Sequence, residues 1–496
     1  SSGTVSGYAQ TRYWETPYAN DDEELTAGAQ GNALFPPGWM NKARVNIEGG
    51  YQVGVLTAQE YGESDWDETV KGYVGVSDRK FGDFRLKSAV AGNFRVAYGL
   101  GLIMDNTDYI HFRKTGFGFN KRLLGVHGDL SRSYEHTLRG AAVEGNYGPV
   151  NASFFVSSDK KAGVLNPDGT INRYLTMRPR LDDDILFGRK DPNAPGVDLE
   201  TGIRPEAFDE DMMGGNVKVM LAPGTFIGFS GYEARYNRGF NATDETLFLR
   251  NSDWNEIQAN EARNSEVREA YTSVYTDGNG DQQEAKFRRI LGAEAQMVYG
   301  NVSVQGEYAF MQNPQNNLFS TKNPDAYVIN AFSQWDNLHL LAIYRDYDLG
   351  FDNPYGRAFS NDSKYEMTNL DSSYRLQDPL YAWLESEGAQ AKAEKGLFLE
   401  TRYRISRKLI LSGLQFDKWQ RKADGADLTR YTIKVEYQPI FNLRFRVRHR
   451  YSNRSENDPF DVRKFQNWET RWQLIGLLSN YNRIQLMYMT SNVMFP

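Results

Sequence analysis

The 496-residue sequence has no cysteine, only five histidines, and no apolar run approaching the about 18 residues that mark a membrane-crossing helix. Without cysteine there is no disulfide framework, no thiolate-ligated metal and no covalent c-type haem. His111, His127, His136, His339 and His449 show no metal-ligand spacing. No G-x-S-x-G elbow, H-E-x-x-H pair or phosphate-cradling loop occurs, so no catalytic residue is assigned and a non-enzyme is expected. A net charge of -7 argues against nucleic acid as a partner. Ser1-Ser2-Gly3 is not a signal peptide, so the numbering is read as starting on a processed or trimmed chain.

Aromatic residues are plentiful, with 30 Tyr and 28 Phe, beside 45 Gly, and the mean hydropathy is -0.63. The pattern behind these figures is clearest at residues 286–312, KFRRILGAEAQMVYGNVSVQGEYAFMQ. Leu291, Ala293, Ala295, Met297 and Tyr299 alternate with Arg288, Glu294 and Gln296. After Tyr299-Gly300-Asn301 the alternation resumes, with Val302, Val304, Tyr308 and Phe310 on one face and Ser303, Gln305 and Glu307 on the other. Period-two alternation across a tight turn is a β-hairpin signal. The limbs are about twice the usual ~5–6 residues of a globular strand and match the about 9–11 that a tilted strand needs to cross a bilayer.

The same unit recurs along the chain, with short turns alternating with long Asp-, Asn-, Gly- and Pro-rich stretches. The long stretches are assigned to 16–40, 93–136, 159–212, 236–285 and 346–392. Nine hairpins give about 18 strands, with a range of about 16–20, and a further candidate strand lies near the N-terminus. The fold class expected is all-β: a single antiparallel transmembrane β-barrel domain spanning 1–496, with short periplasmic turns and long extracellular loops. The stretch 93–136, with its Gly99 and Gly101 pair, is the candidate for a loop folded into the lumen.

Lumen candidates follow from the cost of putting charge against lipid, about 2–4 kcal/mol for Arg or Lys at the midplane. In LRFRVRHRY, residues 443–451, Arg444, Arg446, Arg448 and Arg450 therefore face inward. Lys434 and Glu436 precede them, Glu400, Arg402 and Arg404 lie further upstream, and Glu469 and Arg471 follow. Arg288, Glu294 and Glu307 extend the wall into the opening hairpin. A basic wall favours anions, whereas one-to-one pairing with acids on neighbouring strands leaves only a packed, neutral wall. Asp277, Asn279 and Asp281 resemble the start of a calcium loop, but Arg288 holds the position of the bidentate Glu. Acidic clusters at residues 182–184 and 209–211 fall in a stretch read as loop, where they are taken as solvated loop charge, with divalent cations bridging them to lipopolysaccharide as the alternative. No other cofactor is expected.

Residues 92–104 read GNFRVAYGLGLIM, 134–143 read YEHTLRGAAV and 150–160 read VNASFFVSSDK. This order resembles the barrel region of large outer-membrane proteins of Bacteroidota and relatives, some of them described as helix-hairpin-helix, competence-like proteins. The helix-hairpin-helix part has no counterpart here. The resemblance implies a barrel and a Gram-negative outer membrane, not a substrate. The functional expectation is a porin-like channel for small hydrophilic solutes, surrounded by outer-membrane lipid and lipopolysaccharide. The alternative is a scaffold or sheath barrel around other outer-membrane or periplasmic chains, as in an electron conduit or secretion complex.

Overall fold

The computed structural model describes residues 4–14, 38–59, 69–106, 124–131, 137–165, 169–175, 203–240, 274–276, 282–348, 350–351, 353–356, 359, 393–422, 425, 427–457, 462–479 and 482–494. Every regular element among them is a strand. The chain begins with Val5–Trp14 (β1), Gly38–Ile47 (β2), Tyr51–Gln59 (β3), Thr69–Phe81 (β4) and Phe84–Ala97 (β5). Gly125–Gly128 (β6) is a short side strand on β5, followed by Leu138–Tyr147 (β7) and Val150–Leu165 (β8). Ile171–Leu175 (β9) joins the end of β8, and Ile203–Ala222 (β10) pairs along its length. Thr225–Tyr236 (β11) follows, and Val274–Thr276 (β12) with Gln282–Glu284 (β13) makes a separate two-stranded sheet. The remainder is Phe287–Tyr299 (β14), Val302–Met311 (β15), Asp325–Gln334 (β16), Leu338–Tyr347 (β17), Glu394–Arg404 (β18), Leu409–Arg421 (β19), Asp427–Ile440 (β20), Leu443–Asn457 (β21), Val462–Leu477 (β22) and Arg483–Met494 (β23).

The main sheet has 21 strands, and with side strands β6 and β9 set aside, nineteen form one antiparallel ladder from β1 to β23. The N-terminal candidate is thus a true strand, paired with β2 along its whole length from Val5↔Ile47 to Trp14↔Gly38. The ladder is odd, where bacterial single-chain barrels are even. Among the described residues no pairing joins β1 to β23.

Alternation sorts the side chains into two environments. Val55, Val74, Val143, Phe154, Val217, Phe229, Val304, Ile329, Leu399, Val447 and Leu486 lie exposed on one face. The opposite face contributes Leu56, Tyr73, Phe94, Phe155, Tyr232, Ile290, Val328, Leu341 and Phe398 to one continuous buried cluster. Strands from β3 to β18 share that cluster, which a flat sheet this wide cannot do. The sheet therefore curls around its own interior, and the exposed apolar face is the outside.

The outer face also carries two aromatic rows. Tyr431, Tyr451 and Trp468 touch at the long-connection end, as do Tyr327 and Tyr344. Tyr437 stacks with Phe445, and Trp472 with Tyr488, nearer the short turns. Between the rows on β20–β22 the outer positions are Ile433, Val435, Val447, His449 and Thr470, with no Asp, Glu, Lys or Arg. An apolar band bounded by aromatic girdles is the lipid-facing pattern of a membrane barrel.

The stretches assigned to long loops need correcting. Residues 159–165 and 203–212 are strand, in β8 and β10, so Asp209, Glu210 and Asp211 belong to a ladder rather than a loop. β2 begins inside the 16–40 stretch, and β5 and β6 run into 93–136. β12 and β13 interrupt or border the end of 236–285. Strands that continue past the bilayer edge no longer need an apolar outer face, so composition hides them.

Candidate functional site

The inner face divides into a charged wall and a filled region. On the wall, register places Lys434 opposite Arg448 and Glu436 opposite Arg446. Register also sets Arg450 opposite Glu469, and Arg448 opposite Arg471. Glu436 accepts from Arg446 at 2.6 Å and faces Arg444 at 3.3 Å. Glu469 is held by Arg448 and lies 3.7 Å from Arg471. Each glutamate is thus shared by two arginines, and one-to-one neutralisation fails: positive charge is left over. On the inner face of β1 and β2, Arg12, Lys42 and Arg44 alternate with the exposed Val45 and Ile47. Sequence reasoning omitted these three, although the same period-two signal marks them. Arg402 and Arg404 lie on the inner face of β18 at its turn end, and Glu400 lies further in, opposite Leu341.

Arg288, Glu294 and Glu307 also face inward, but against protein instead of open space. All three are buried at 3–7% exposure. Arg288 lies over the Phe240 ring at 4.8 Å, and Glu294 pairs with Lys218 at 3.0 Å. Glu307 grips the segment 97–106. Its carboxylate accepts the N–H of Leu100 at 2.5 Å and those of Leu102 and Ile103 at 3.2 Å each. Asn353 donates to the carbonyls of Leu102 and Ile103 at 2.8 and 2.9 Å, completing a clamp on both backbone edges. Gly99 has φ +49, and a Cβ there would meet the Glu307 carboxyl at 2.7 Å. Leu100, Leu102, Ile103 and Met104 are buried to 2% or less, so the segment is part of the core.

Two further segments complete the filling. Asp129 anchors residues 124–131 by accepting from Lys71 at 2.8 Å, Arg95 at 2.6 Å and the Ser131 N–H at 2.8 Å. Burial alone would raise the Asp129 carboxyl, but the two cations and the hydrogen bonds outweigh it and hold it below its usual range. Around residues 353–356, Tyr355 donates to Glu210 at 2.5 Å, and Tyr232 to Asn353 at 2.6 Å. Burial, then the Glu210 carboxylate, push the Tyr355 phenol well up, keeping it a donor. No motif in the stretch 346–392 announces Asn353 or Tyr355; its Asp-, Asn-, Gly- and Pro-rich composition reads only as loop. Below the filling, toward the short turns, a polar hollow of about 510 Å³ is lined by Ser303, Phe332, Gln334 and His339.

Among the described residues no group of three or more His, Asp or Glu side chains is placed to hold a metal ion. Asp277, Asn279 and Asp281, and the cluster 182–184, lie outside the described residues.

No protein-family model matches the chain, and no curated protein matches it. Among solved structures, OccK11 (OpdR) of Pseudomonas aeruginosa overlaps with a TM-score of 0.35 at 9% identity, covering 99% of this chain and 95% of that one. OprD of Pseudomonas aeruginosa gives 0.34 at 8%, with 99% and 95% covered. OccAB4 of Acinetobacter baumannii gives 0.28 at 10%, with 99% and 92% covered. Overlaps this loose assign neither a family nor a substrate.

Proposed function

We propose that the chain is a porin-like channel of a Gram-negative outer membrane, closed as a β-barrel, which passes small hydrophilic solutes passively and favours anions. The observation that carries this reading is the sharing of Glu436 and Glu469 by two arginines each. Uncompensated guanidinium groups on an inner face lower the barrier for anions and raise it for cations. The apolar, aromatic-girdled outer face supports placement in lipid. The segments 97–106, 124–131 and 353–356 narrow the lumen from one side, so solute passes between them and the basic wall. The interior is filled in part by the chain itself, which favours a channel over a sheath around a second protein.

Purified chain in a planar bilayer tests the reading. Discrete conductance steps without any added protein are expected. A folded, inserted chain that never conducts contradicts the channel and supports the scaffold reading.

A further inference from the structure

The two ends of the ladder carry an outer face unlike the middle. On β21, β22 and β23, register puts His449, Thr470 and Thr490 in one outer row, one step toward the short turns from Tyr451, Trp468 and Asn492. On β1, β2 and β3 it puts Thr11, Asn41 and Thr57 in one row, one step toward the short turns from Tyr13, Trp39 and Gln59. Small residues follow there, Ala9 opposite Ala43 and then Gly7 opposite Val45. By contrast, the outer positions of residues 152–156, 213–219, 227–231 and 291–297 are Ala, Gly, Val, Ile, Leu, Met and Phe only. Local hydrogen bonds satisfy the polar rows only in part. Thr11 donates to Asn41 Oδ1 at 2.9 Å, and His449 Nδ1 lies 2.8 Å from the Thr470 hydroxyl. The Asn41 Nδ2 and His449 Nε2 groups make no further hydrogen bond among the described residues. Hydrocarbon offers them none, and an unsatisfied polar group in lipid is costly.

We infer that these two patches, side by side once the barrel closes, form the contact face for a second copy of the chain in the membrane. A second copy crosses the same bilayer at the same depth, so it brings the same polar rows level with these. Asn and Thr side chains both donate and accept, as does the imidazole through its two nitrogens. The face can therefore satisfy itself across a symmetry axis along the membrane normal. A foreign partner would need polar groups of its own at that depth. Gly7, Ala9 and Ala43 let the two backbones approach closely enough for short polar side chains to meet. The inference rests on the membrane placement and closure proposed above. Assembly is read separately from conductance, so either can fail alone.

The chain has no cysteine, so a single introduced one can join only to another molecule. Ala43→Cys, Thr490→Cys and, as a control on the outer face of β14, Ala295→Cys are treated with a short bis-maleimide in native outer membranes. The purified wild type is weighed by native mass spectrometry, with heat-modifiable gel migration as the folding control for every variant. A wild-type particle of at least two chains is expected, with a product of twice the chain mass from Ala43→Cys or Thr490→Cys and none from Ala295→Cys. Asn41→Leu, which suits lipid better than Asn, is expected to raise the dissociation concentration at least about ten-fold. A monomeric wild type overturns the inference, as does equal cross-linking at Ala295 or a product whose mass shows a different protein. Multimers that cross-link at neither Ala43 nor Thr490, or that Asn41→Leu leaves unchanged, overturn the assignment of the face. If Asn41→Leu fails to fold, Ala43→Trp decides, because lipid accommodates its bulk and a packed face does not. Separated copies support the inference, and intact multimers overturn it.

Discussion

Glu307 takes three N–H groups from a segment some 207 positions earlier in the chain, and this single carboxylate fixes where the interior filling sits. Net hydrogen bonds to charged groups contribute about 1.5–3 kcal/mol each. Glu307→Gln should therefore loosen the clamp by about 2 kcal/mol, more than ten-fold in the opening equilibrium. Amide hydrogen exchange at Leu100, Leu102 and Ile103 reads this directly, and unchanged protection would show that burial of the segment holds it without the carboxylate. Asp129 makes a second residue-scale prediction. Its folded-state pKa is depressed, so its contribution is complete above the unfolded value of about 3.9 and disappears as pH falls through the folded value. Exchange of residues 124–131 should be slow at pH 6 and rise steeply below about pH 4, and Asp129→Asn should flatten that profile. Neither role was legible in the sequence. Alternation gives Glu307 an inward face, but its partners come from a distant, Gly-rich stretch that no local pattern links to it.

At the scale of elements, the alternation in β21 separates lipid from lumen. Val447→Arg places a guanidinium against lipid and should cost about 2–4 kcal/mol in urea-driven unfolding from bilayers. Arg446→Val, on the opposite face, should cost much less; equal costs would mean the two faces are not distinguished by lipid. The hairpin at residues 286–312 was legible almost to the residue, with β14 and β15 meeting at Gly300 in a positive-φ turn. The upper parts of β8 and β10 were not. There Lys160, Asp209 and Asp211 stand where an apolar outer face would be needed lower down, because the strands have left the lipid zone.

At the scale of the whole molecule, nineteen ladder strands leave β1 and β23 running the same way. In lipid neither edge can remain unpaired, so direct closure would be a parallel pair. Cysteine pairs stepped along outer-face positions Gly7, Ala9 and Thr11 against Leu486, Tyr488 and Thr490 should cross-link in the folded chain if the edges meet directly. Failure of every pair would mean that the edges join through another strand. The class of fold could be read from alternation alone. The excess of positive charge could not, because it depends on the register that gives Glu436 and Glu469 two arginines each.

That excess is the centre of the functional account, and the reversal potential of the open channel across a potassium chloride gradient tests it most directly. The reversal potential should take the sign set by chloride and shift toward zero when Arg444, Arg446 and Arg471 are replaced by glutamine. A cation-selective or unselective wild-type channel, or a selectivity unmoved by those three substitutions, would contradict it.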